Sequence, residues 1–124
     1  MWPNKCASWP VRAGWSIQEF SRRHGDFAIC GVACMVETAA DGLCTGARIT
    51  AFGVEPIPKR LAGAEAILQG ERIDAPTVRQ AAHVAATEVD PLEDRQASSA
   101  YRRHLVELLV ERSIMQAAAR TRGT

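Results

Sequence analysis

Residues Ser21–Glu37, SRRHGDFAICGVACMVE, place the basic run Arg22, Arg23 and His24 and the acid Asp26 directly before a stretch that is apolar at almost every position. Read as a strand from Phe27 to Glu37, its alternation puts Phe27, Ile29, Gly31, Ala33 and Met35 on one face. Ala28, Cys30, Val32, Cys34 and Val36 then make the other face. Both faces are apolar. Antiparallel strands usually leave one face wet, so this one predicts helices against one side and a neighbour against the other. AADG, residues 39–42, carries the Asp-Gly signal of a tight turn, and Leu43 to Val54 returns as a second strand. A β-hairpin is therefore the expected central element.

Upstream, Ser16 with Glu19 three residues on matches a capping box, predicting a short helix through Phe20 to about Arg23 that Gly25 ends. Residues 1–14 hold Trp2, Trp9, Pro3 and Pro10 with little periodicity and read as an extended arm. Downstream, the two prolines of VEPIPKR break the strand, and Leu61, Ala64, Ala66, Ile67 and Leu68 suggest a short helix closed by Gly70. Asp74 is an N-cap for a helix from Ala75 to about Val89, with Pro76 in its first turn. After the polar connection DPLEDRQASS, Ser98 or Ser99 can cap a long helix to about Arg120. On it, Tyr101, Leu105, Leu108, Met115 and Ala119 form one apolar stripe, and Val106, Val110 and Ala117 a second. The expected fold is α+β: a small antiparallel sheet with helices packed on one face.

A chain of 124 residues, 47% hydrophobic, has the size of one ordinary domain with a single core. Residues 15–120 are read as that domain, and residues 121–124 as a tail. Fifteen basic residues against fourteen acidic ones supply no strong field, which argues against nucleic acid or an anionic membrane as a partner. No apolar stretch approaches the roughly 18 residues of a membrane span, and the start lacks the layout of a secretory signal, so a cytoplasmic protein is expected.

The four cysteines, Cys6, Cys30, Cys34 and Cys44, match neither paired zinc knuckles nor a dense disulfide scaffold. Cys30 and Cys34 share one strand face and read as small buried hydrophobes, and no metal site is expected. Cys6 or Cys44 with His24 would formally suit nucleophilic catalysis, but nothing in the spacing selects them. His83 and His104 fall on predicted helices as packed or solvated side chains. No phosphate-binding glycine loop occurs. Arg22 and Arg23 complement a helix C-terminus with Asp26 as ion-pair partner, or else form the edge of an anion or cofactor site. AYRRHL, residues 100–105, repeats the basic theme at a helix start, with Asp90, Glu93 and Asp94 near enough in sequence to answer it.

Taken in order, EFSRRHGDFAICGVA, GARITAFGVEPIPKRLAGAEAIL and SSAYRRHLVELLVERSI resemble the C-terminal domain of the FAD-binding medium subunit of molybdenum hydroxylases, the carbon monoxide dehydrogenase and xanthine dehydrogenase group. The resemblance covers Trp15 to Ala118. It implies an accessory and assembly domain beside an FAD-binding N-terminal domain, in a complex with iron–sulfur and molybdopterin subunits that passes electrons from molybdenum through the clusters to FAD. It also implies that Gln18, Arg22, Arg23 and Asp26 lie toward the flavin, as the cofactor-binding candidates of this chain. Preceding domains supply the bulk of the FAD contacts in such a family, and its glycine-rich FAD motifs have no counterpart in this sequence. An apolar strand face left without its neighbour predicts a homo-oligomer in isolation. The alternative is a free-standing small enzyme or ligand-binding protein that reuses the scaffold, with Trp2, Trp9 and Trp15 lining an apolar pocket of its own.

Overall fold

The computed structural model describes residues 11–21, 29–93 and 97–123. Four antiparallel strands form one sheet in sequence order: β1 (Val11–Phe20), β2 (Cys30–Ala39), β3 (Cys44–Phe52) and β4 (Lys59–Arg60). Three helices follow, α1 (Ala62–Leu68), α2 (Ala75–Glu88) and α3 (Ser99–Gly123). α3 packs across β1 and β2, α1 packs on β3, and α2 bridges α1 and α3. This is the expected small antiparallel sheet with helices on one face.

β2 carries the core. Cys30, Val32, Cys34 and Val36 are buried toward the helices, together with Ile49 and Ala51 of β3. Leu61, Leu68, Val78, Val106, Val110 and Ile114 close over them from the helical side. The hairpin turn closes as its sequence predicts. Gly42 takes a positive φ of 89°, its N–H donates to Ala39 O at 2.9 Å, and Leu43 N–H donates to the Asp41 carboxylate at 3.0 Å.

The largest departure from the sequence reading is β1. Residues 16–20 are strand, and no helix starts at Ser16; the strand begins at Val11, inside the segment read as an arm. The inward positions of this strand are Gly14, Ser16 and Gln18, which are small or polar, so no apolar alternation marks it. α3 explains them. A Cβ on Gly14 would lie 2.1 Å from Ala117 O, so helix and strand backbones touch there. Two residues on, the fully buried Ser16 hydroxyl donates to Ser113 O at 2.8 Å, and the Ser113 hydroxyl donates to Val32 O at 3.3 Å. Gln18 and Gln116 join their side-chain amides at the next level. Ser16, read as the start of a capping box, thus belongs to a long-range seam.

The last helix is also turned relative to expectation. Its buried side is Leu105, Val106, Leu109, Val110, Ile114, Ala117 and Ala118, whereas Tyr101 and Met115 of the first predicted stripe are exposed at 36% and 47%. The buried Arg102 and Ser113 lie in the true inward stripe and conceal it from a hydrophobicity count. Arg102 Nη1 donates to Leu92 O and Ala97 O, tying the connection before α3 to the helix. α3 also runs on to Gly123, into residues read as a tail.

Local signals fixed the other two helices. Gly70, at φ 78°, follows α1, and Ser98 Oγ accepts from Tyr101 N–H at the start of α3. On α2, Asp74 caps the first turn, accepting from Thr77 N–H at 3.0 Å. Hydrogen bonds from Thr77 hold its carboxyl below the ordinary value. A carboxylate depressed in the folded state adds stability above its unfolded pKa, about 3.9, and loses it as pH falls through the lower folded value. The melting-temperature gap between the native chain and Asp74→Ala is therefore expected to be complete at about pH 6 and to shrink below about pH 4. A gap constant down to the acid limit would remove the cap as its cause.

Candidate functional site

Register builds the second face of the sheet row by row. Trp15 pairs with Met35 and Met35 with Arg48; Ile17 pairs with Ala33 and Ala33 with Thr50. Cross-strand partners share a face, so these six side chains form one surface opposite the helices. They line an open groove of about 220 Å3. Trp15 is 57% exposed and Ile17 53%, in a chain whose other face is closely packed. Contiguous apolar surface of this kind marks an interaction site. The groove is smaller than the roughly 300–1,000 Å3 of enclosed ligand pockets, and of the described residues on this face Arg48 and Thr50 bring it polar side chains.

Beyond this groove, Gly31 is paired with Phe52. A Cβ on Gly31 would fall 2.4 Å from Phe52 Cζ and 2.5 Å from Cε2, so the edge of the ring occupies the space over the glycine and continues the apolar face. Composition would have suggested a weak strand position there. The ring supplies the side chain the glycine lacks.

Of the sequence-based cofactor candidates, Gln18 lies on the helix side of β1, where its side chain meets Gln116 in a groove shared with Leu108, Glu111, Arg112 and Met115. Arg22, Arg23 and Asp26 lie outside the described residues, as do Trp2, Trp9, Cys6 and His24. Trp15 is on the open face. The sequence reading offers Trp15 only as part of an apolar pocket lined with Trp2 and Trp9, and Ile17 not at all; a strand reading of residues 11–20 puts both on one face.

Among the described residues, the helix N-termini offer no dinucleotide cradle. A pyrophosphate is commonly held at a free helix N-terminus. Here Glu88 accepts from Gly63 N–H at 2.8 Å and Ala64 N–H at 3.0 Å at the start of α1, and Asp74 and Ser98 fill the same role on α2 and α3. Glu65, also buried, accepts from Ile49 N–H at 2.8 Å and pairs with Arg60 at 2.8 Å, which anchors α1 to β3 and β4. These carboxylates hold the fold together.

The buried cysteines are thiols, not nucleophiles. Burial pushes Cys34 up to about 12 and Cys30 up to about 11, and raises Cys44 as well. His83 is exposed and lies 3.8 Å from Glu107, and His104 is exposed on α3. Among the described residues, no group of three or more His, Cys, Asp or Glu is placed to hold a metal ion, and no helix is long and apolar enough to cross a membrane.

A family profile described as the CO dehydrogenase flavoprotein C-terminal domain matches residues 15–117. The chain is 37% identical over 115 residues to the 6-hydroxypseudooxynicotine dehydrogenase complex subunit alpha of Paenarthrobacter nicotinovorans, covering 93% of this chain and 39% of that protein. It is 33% identical over 108 residues to the nicotine 6-hydroxylase medium subunit of the same organism, covering 87% of this chain and 38% of that one. Among solved structures, it is similar to a chain of carbon monoxide dehydrogenase from Hydrogenophaga pseudoflava, with a TM-score of 0.82 and 29% identity over 88% of this chain and 38% of that one. A chain of quinoline 2-oxidoreductase from Pseudomonas putida 86 gives a TM-score of 0.80 and 31% identity, over 86% of this chain and 37% of that one. The chain thus spans under two-fifths of the length of these relatives.

Proposed function

Because this chain belongs to the CO dehydrogenase flavoprotein C-terminal domain family, we propose that it is an accessory and assembly domain of a cytoplasmic, flavin-containing molybdenum hydroxylase, without catalytic activity of its own. The observation that carries this reading is the open sheet face. Trp15, Ile17, Ala33 and Met35 form an apolar surface over which, among the described residues, no helix lies, on a domain whose other face is closely packed. Such a face suits docking against an FAD-binding domain, with iron–sulfur and molybdopterin subunits beyond it; Gln18, Arg22, Arg23 and Asp26 are the flavin-side candidates by resemblance alone, and Gln18 stands on the helix side of β1, not on this face.

In that assembly FAD supplies the electron-accepting ring. The part of this chain is to close one wall of the site and to exclude water from it with the apolar rows of β1 and β2. Its own helix N-termini are filled by Glu88, Asp74 and Ser98, which supports a division of labour in which another domain holds the phosphates. Isolated, the face is expected to cover itself against a second copy, since a self-complementary apolar patch closes most readily as a symmetric dimer.

Titrating the pure chain with FAD tests the accessory reading. No stoichiometric binding is expected, by flavin fluorescence or by calorimetry, at micromolar concentrations. Tight one-to-one binding would overturn it, because the chain would then carry a complete flavin site and not one wall.

A further inference from the structure

We infer that Arg120 is a positioning residue of the open face, reaching around the sheet edge from the helical layer to fix the Trp15 indole; this rests on the docking role proposed above for that face. Arg120 belongs to α3, which packs on the helix side of β1, whereas Trp15 lines the groove on the opposite side. Two contacts bridge the layers. Arg120 Nη1 donates to Trp15 O at 2.7 Å, and its guanidinium carbon stands 5.6 Å from the centroid of the Trp15 ring.

The backbone shows why this reach is possible. Carbonyls alternate in direction along an antiparallel strand. Phe20 O points toward β2, because it accepts from Ile29 N–H at 2.7 Å. Trp15, five residues earlier, therefore turns its carbonyl to the opposite edge, beyond which no strand lies among the described residues. Arg120 occupies that position. One planar group thus satisfies an edge carbonyl and lies against the indole at the same time, a combination that suits a guanidinium better than an ammonium. It also blunts the edge of a ten-residue strand against pairing with another chain.

Trp15 is the most exposed aromatic on the open face. An indole held in one rotamer loses less freedom when a partner covers it, so fixing it in advance favours docking. The seam below supports the geometry: Gly14 against Ala117 and Ser16 on Ser113 set the height of α3 over β1, and hence where residue 120 emerges.

The test uses the full chain with Trp2→Phe and Trp9→Phe, so that Trp15 is the single tryptophan and is excited selectively over Tyr101, and adds Arg120→Ala, Arg120→Lys or Trp15→Ala. Acrylamide quenching and the indole N–H resonance report on the ring, and sedimentation equilibrium reports on self-association through the face. Arg120→Ala is expected to shift the indole resonance, raise the quenching constant and weaken self-association by roughly threefold. Arg120→Lys is expected to recover part of each. A merely structural arginine would lower the melting temperature and leave the quenching and resonance of the folded protein in place, and that result would overturn the inference. Trp15→Ala separates the two readings: if it leaves self-association unchanged, the docking role of the face fails, while the ring measurements on Arg120→Ala still decide whether Arg120 holds the indole.

Discussion

Replacing Gly14 by valine is expected to remove a large share of the stability of the native state. The position lies on β1 against α3, where an added Cβ would stand 2.1 Å from Ala117 O and 2.9 Å from Thr121 N. Both are backbone atoms, so no side chain can swing aside; the strand or the helix must move. Moving α3 outward would also break the Ser16 bond to Ser113 and lift Leu109, Val110 and Ile114 from the sheet. Overpacking in a well-packed core costs about 1–3 kcal/mol, and this site adds the lost seam to that cost. A destabilisation of more than about 3 kcal/mol is expected, a large share of the stability of a domain of this size. Urea unfolding followed by far-ultraviolet circular dichroism measures it, with Gly14→Ala as a milder companion. A Gly14→Ala midpoint equal to that of the native chain would mean that α3 does not approach β1 this closely.

The second large effect concerns assembly and leaves the fold intact. Ile17→Asp places a charge on the open face, beside Ala33 across the strand pair and two residues along β1 from Trp15. Because Ile17 is already 53% exposed in the single chain, its loss removes little core, and the melting temperature is expected to stay close to native. At the centre of a self-associated interface the same aspartate would be desolvated without a partner, which is strongly unfavourable. Self-association should weaken at least about a hundredfold, equivalent to about 2.7 kcal/mol. Light scattering over a concentration series decides it. The native chain should exceed the 13.5 kDa of one copy, and Ile17→Asp should remain at that mass. A native chain that stays at one copy on concentration, or a variant that associates as well as the native chain, would remove the open face as a self-docking surface.

The family relation gives these two experiments their biological sense, because the face and the seam are consecutive layers of one device. The Gly14, Ser16 and Gln18 side of β1 fastens the strand to α3, and the Trp15 and Ile17 side is thereby presented outward. Loosening the first should blur the second.

β2, the turn at Gly42, β3 and the approximate extents of α1, α2 and α3 are legible in the chain alone, because each is written in neighbouring residues. Asp-Gly makes a turn, Asp74 and Ser98 cap helices, and the alternation from Ile29 to Val36 forces a strand wherever it lies. The chain alone also foretells that β2 has two apolar faces, one for helices and one left over. Only the tertiary structure decided β1. Its inner residues Gly14, Ser16 and Gln18 have meaning through Ala117, Ser113 and Gln116, some hundred positions along the chain, and Ser16 with Glu19 imitates a helix start when read alone. The same holds for the inward side of α3, where Arg102 and Ser113 are buried because distant carbonyls receive their hydrogen bonds. The candidate site was half legible for this reason: the spare apolar face is a local pattern, whereas Trp15, Ile17 and Arg120 join it only after β1 has been paired and α3 laid across it. Local patterns report the preferences of a segment, and a backbone approach or a buried polar pair is a property of two segments that only the folded chain brings together.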